Sequence, residues 1–103
     1  MKLVSIFAAS ALILSVPAFA ADQLELAKKS GCLACHSVEH KIVGPAYKDV
    51  AKKYEGDHGA LARLMVKVKK GGSGVWGPVP MPPNPQVSEA NLKKIITWVL
   101  SLK

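Results

Sequence analysis

The sequence predicts an all-α fold of four to five short helices, on three observations. Apolar residues recur at helical spacing in several separate segments. No stretch alternates apolar and polar residues for long enough to read as a strand. The one segment that is neither, Gly71 to Pro85, holds too much proline for a helix interior or a central strand. Internal repeats and low-complexity tails are absent from the sequence.

The first stretch stands apart. Lys2 opens it, Leu3 to Val16 is almost wholly apolar, and Ala18-Phe19-Ala20 closes it as a small-residue cleavage site. This is the pattern of a secretory signal peptide over residues 1–20, with residues 21–103 as one exported domain. The apolar run is shorter than the ~20 residues that span a bilayer, so no stable membrane insertion is expected. Such a leader directs the remaining chain out of the cytoplasm. Removal of the leader leaves 83 of 103 residues, with 13 basic against 7 acidic side chains once Lys2 is gone. So small a domain struggles to bury enough surface unaided. Its two cysteines allow at most one short disulfide, so a buried cofactor is the natural supplement. The positive balance suits acidic partners more than nucleic acid, because the lysines are spread along the chain and the protein is exported.

From Asp22 to about Ser30 the chain reads as a first helix. Asp22 is the expected cap, with Glu25 three residues on, and Leu24, Ala27 and Gly31 form a small-residue face. Pro45 suits a helix start, and Tyr47, Val50, Ala51 and Tyr54 follow at i, i+3, i+4, i+7. Leu61, Leu64, Met65 and Val68 stripe a helix over about 60–70, and Lys67, Lys69 and Lys70 suit its C-terminal dipole. Ser88 caps the last helix. Its apolar face is Leu92, Ile95, Ile96, Val99, Leu100 and Leu102, with Trp98 at the edge and the first helix as expected partner. Gly71 to Pro85 carries Val75, Trp76, Val79 and Met81 among its prolines. It reads as a stiff loop folded against something large and flat.

Between the first two helices lies Cys32-Leu33-Ala34-Cys35-His36. C-x-x-C-H is the attachment signature of a covalently bound haem: two thiols for the vinyl groups and an imidazole for the iron. On a helix these three side chains share an arc of roughly 100°. Two other readings of the residues stand beside it. His36 and His40 could join the cysteines as a Cys2His2 zinc module. The cysteines could also form a plain disulfide or remain free thiols. If haem is bound, the candidates for a second axial ligand are Met81, Met65, His40 and His58. Met65 belongs to a helix stripe, His40 is too near His36 to reach the other haem face, and His58 sits in a polar turn. Met81, between Pro80 and Pro82, has the mechanical support that a weak thioether–iron bond needs.

Together with Val43-Gly44-Pro45-Ala46, Gly74-Val75-Trp76-Gly77-Pro78 and Pro80-Met81-Pro82-Pro83-Asn84, the motif resembles the small bacterial class I cytochromes c of the c-551/c-552 type. The resemblance spans the whole exported region. It implies the class I cytochrome c fold around one haem c, attached through Cys32 and Cys35, with His36 proximal and Met81 distal. It implies that the Pro45 carbonyl accepts a hydrogen bond from His36, that Trp76 donates to a haem propionate, and that Asn84 hydrogen-bonds near the Met81 sulfur. An arginine often supports a propionate where this chain has Lys67, which lacks the bidentate fork. The join at Pro85-Gln86 is slightly longer than in some relatives.

The expected function is that of a periplasmic one-electron carrier and not an enzyme. The expected state is a monomer that docks transiently with redox proteins through the edge near Ile42, Val43 and Gly44. The resemblance suggests a cytochrome complex as donor and a nitrite reductase, terminal oxidase or peroxidase as acceptor. A five-coordinate haem enzyme or gas sensor is the alternative from another class.

Overall fold

The computed structural model describes residues 18–103. Most of the expected leader therefore lies outside the described residues. The chain forms α1 (Ala18–Lys29), a 3-10 turn (Cys32–Ala34), α2 (Tyr47–Lys53) and α3 (Ala60–Lys70). Strands β1 (Gly72–Gly74) and β2 (Gly77–Met81) follow, then α4 (Glu89–Ser101).

Helix α4 is the centre of the packing, because its apolar stripe is the widest. Leu92, Ile95, Ile96, Trp98 and Val99 are all buried, and α1, α2 and α3 each pack against it. Trp98 is core, not edge: it is 3% exposed and meets the Tyr47 ring edge-on at 5.8 Å between centroids. Ser88 caps the helix as its residue type predicts, its Oγ accepting from the Asn91 N–H at 3.2 Å. Helix α3 carries its stripe against the same core. Asp57 and Arg63 form a salt bridge at its start, and Asp57 Oδ1 accepts from the Gly59 N–H at 3.0 Å.

Three further expectations are corrected. Helix α1 is already helical at Ala18, the first described residue, so Asp22 lies inside it and caps nothing. Ala18-Phe19-Ala20 contains no helix breaker, and the helix runs back through it. Gly31 lies past the end of α1, at φ 81, and is not part of its packing face; Ala27, 0% exposed, makes the close contact. The third correction is a two-stranded antiparallel hairpin inside the glycine–proline segment, pairing Gly72 with Met81 and Gly74 with Gly77. Pro78 and Pro80 fall at alternate positions of β2, so their missing N–H groups share one edge. The positions between them stay free to face β1. Among the described residues no helix is long and apolar enough to cross a membrane.

Candidate haem site

The C-x-x-C-H segment is a tight turn. The His36 N–H donates to the Cys32 carbonyl at 3.1 Å, and a β-bridge between His36 and Lys41 folds the following loop back on itself. The Val43 and Gly44 N–H groups both donate to the Cys35 carbonyl, at 3.2 and 2.8 Å. Neither cysteine pairs with the other in a disulfide, and both side chains are half-buried.

His36 Nδ1 lies 2.8 Å from the Pro45 carbonyl oxygen. A carbonyl only accepts, so Nδ1 is the protonated nitrogen and Nε2 keeps its lone pair for a metal. The Tyr47 ring stacks on the imidazole at 5.0 Å between centroids and 23° between planes. Burial, with Cys32 beside it, pushes the Tyr47 phenol well above its usual range, so it stays protonated. Burial likewise pushes the Cys32 thiol up.

Cys32, Cys35, His36 and Met81 all line one cavity of about 510 Å³. Its apolar wall comes from α3 through Leu64 and Val68, and from α4 through Leu92, Ile95, Ile96 and Val99. Trp76, Val75 and Val79 line it too, yet are 43%, 51% and 62% exposed in the polypeptide alone. So much apolar surface facing one cavity calls for a large flat partner to cover it. The residues present therefore fit a haem: two thiols, a correctly tautomerised imidazole, a thioether and an apolar slot. A zinc module does not fit, because no group of three or more His, Cys, Asp or Glu among the described residues is placed to hold a metal ion. His40 is exposed, its N–H donating to Ser37 Oγ.

The remaining expected site residues separate. Trp76 is at the cavity, with the Lys53 ammonium 5.5 Å from its ring centroid. Lys67 lines it also, its Nζ against the Gly72 backbone. Asn84 does not line it. Its backbone N–H donates to the Val68 carbonyl at 2.9 Å, and its Nδ2 to the Pro82 carbonyl at 2.9 Å. No hydrogen bond joins Asn84 to the Met81 sulfur; it ties the chain after Met81 to the end of α3 instead.

Three further residues belong to the site and were not expected there. Arg63 lines the cavity one helical turn before Lys67, placing a second cation on that side. The i, i+4 spacing of the two was the available signal. Gly44 lies against His36, where a Cβ would fall 2.5 Å from ring Cε1. Gly71 lies under the methionine segment, where a Cβ would fall 2.5 Å from the Met81 carbonyl oxygen and 2.8 Å from the Pro83 nitrogen.

Fold and site together define a small helical protein built round a covalently attached haem. The cytochrome c family profile matches residues 24–103. Cytochrome c-551 of Allochromatium vinosum is 60% identical over 86 residues, covering 84% of this chain and 90% of its own. Cytochrome c-552 of Nitrosomonas europaea is 53% identical over 97 residues, covering 94% and 92%. The crystal structure of wild-type Nitrosomonas europaea cytochrome c552 superimposes with a TM-score of 0.75 at 54% identity, over 78% of this chain and 99% of that one. The chain belongs to the cytochrome c family, with the class I fold, and carries one haem c bound through Cys32 and Cys35.

Proposed function

We propose that the protein is a periplasmic one-electron carrier whose haem iron is ligated by His36 and Met81. The observation that carries this reading is the shared cavity. His36 and Met81 both line it, His36 held by its hydrogen bond to the Pro45 carbonyl and Met81 placed at the end of β2. Haem c supplies the one-electron couple between Fe(III) and Fe(II). His36 offers Nε2 because Pro45 occupies Nδ1. Met81 offers a soft thioether, which favours the ferrous state. If His36 and Met81 both held the iron, the chain would leave no open position for a substrate, which would suit electron transfer and not catalysis. Leu64, Val68, Leu92 and Ile96 line the slot with apolar side chains that would keep water from a bound haem, and a dry site would keep reorganisation small. Trp76, Lys67 and Arg63, all on the cavity wall, are the residues that would donate to the propionates.

Ile42 and Val43, 53% and 51% exposed, sit beside Cys35 on the turn that carries the thioether side. They make a small apolar contact suited to transient docking with redox proteins, the donor a cytochrome complex and the acceptor a nitrite reductase, oxidase or peroxidase. The exported chain is residues 21–103, freed by cleavage after Ala20, and acts as a monomer. An optically monitored redox titration tests the carrier reading. It should give one reversible one-electron transition, with the same spectrum recovered on the return. Hysteresis, or a return to a different spectrum, would argue for ligand exchange and against a carrier.

A further inference from the structure

We propose that Gly44 and Tyr47 are positioning residues that fix the rotation of the His36 imidazole about the iron–nitrogen axis, an inference that rests on His36 being an iron ligand. Three contacts of different kinds bear on this one ring. Pro45 holds it in its plane, by the hydrogen bond to Nδ1 at 2.8 Å. Tyr47 stacks on it at 5.0 Å and 23°. Gly44 bears on its face: a Cβ there would sit 2.5 Å from Cε1, 2.9 Å from Nδ1 and 3.0 Å from Nε2. An approach within the ring plane beyond Cε1 would leave both nitrogens much farther away than the carbon. The near-equal distances place the backbone of Gly44 over the ring. Its φ is not positive, so glycine stands here for close approach and not for backbone conformation.

Each contact is itself anchored. The Gly44 N–H donates to the Cys35 carbonyl at 2.8 Å, so the glycine is held by the same turn that presents the histidine. The Tyr47 N–H donates to the Ser37 carbonyl at 2.8 Å, and its ring meets Trp98 in the core. Segment 44–47 therefore grips the imidazole from outside the motif. The cysteines fix the haem and the segment fixes the ring. The orientation of the ligand plane relative to the haem is thus set by the protein, not by the free rotation of a bound imidazole.

NMR of the holoprotein tests this in two stages. In the reduced parent, His36 ring protons should show the large upfield ring-current shifts of an axial ligand; their absence would sink the ligand assignment itself. The oxidised cyanide adduct then reads the ring alone. Cyanide replaces the methionine side with a cylindrically symmetric ligand, so the haem-methyl hyperfine shifts report the imidazole plane. Gly44→Ala and Tyr47→Leu should each retain haem and reorder those methyl shifts. Tyr47→Phe keeps the stack and should leave the parent order. If Gly44→Ala and Tyr47→Leu lower the melting temperature but preserve the methyl pattern, or fail to mature with haem, the two residues serve the fold and the inference is overturned.

Discussion

Met65 and Met81 carry the same side chain into different surroundings. Met65 belongs to the α3 stripe packed against the core and does not line the cavity; Met81 ends β2 at the cavity wall. Met81→Ala should leave the haem covalently attached, because the cysteines hold it. The reduction potential should fall, since the thioether's preference for the ferrous state is lost. Met65→Leu is nearly volume-conserving, should cost less than about 1.5 kcal/mol, and should leave the spectrum unchanged. Denaturation and voltammetry on the two variants check both outcomes. Spectral change in Met65→Leu with none in Met81→Ala would reverse the assignment. The sequence made the side-chain donors legible at this scale, since spacing announces Cys32, Cys35 and His36 directly. It hid Gly44, whose part is the absence of a side chain, and Tyr47, whose helical spacing makes it look like ordinary core. For Asn84 the sequence placed the residue after Met81, but could not show that its amide donates to the Pro82 carbonyl.

Helices were more legible than the segment between them. The α3 stripe and its lysine-rich end give Ala60–Lys70, and Ser88 marks the start of α4 because its hydroxyl satisfies an N–H that the helix leaves open. Ser88→Ala should therefore cost about 0.5–2 kcal/mol in chemical denaturation. The extent of α1 before Asp22 was not legible, because Ala18-Phe19-Ala20 is itself compatible with helix. Nor was the hairpin, whose glycines and prolines carry no strand propensity. Its position depends on Gly71, at φ 74 and ψ −174, a region that is essentially glycine's alone. Gly71→Ala should cost about 1–3 kcal/mol from backbone strain. The added methyl should also press on the Met81 carbonyl. Denaturation should show the loss, and the oxidised spectrum should show weakened methionine ligation. A variant with parental stability and spectrum would mean that Gly71 does not position the loop.

The whole molecule joins an apolar slot to a positive surface. Residues 21–103 carry 13 basic against 7 acidic residues. Most of the lysines are exposed, so their effect on a partner is long-range steering, not tight pairing. Electron exchange with an acidic redox partner should slow as salt rises, because the Debye length falls from about 10 Å at 0.1 M to about 3 Å at 1 M. Stopped-flow rates across that range check it, and a flat dependence would assign the charge no steering role. The composition announced this charge and the shortage of core. It could not show which side chains would line the slot, because that depends on how α3, β2 and α4 meet.

The central claim is that the chain itself fills both axial positions of the haem. Titration of the reduced protein with carbon monoxide tests it most directly. If His36 and Met81 are both bound, the absorption spectrum should stay unchanged through a large excess of the gas, while Met81→Ala should bind it readily. Stoichiometric binding by the parent protein would contradict the claim, and would point to a five-coordinate haem built for ligands and not for electrons.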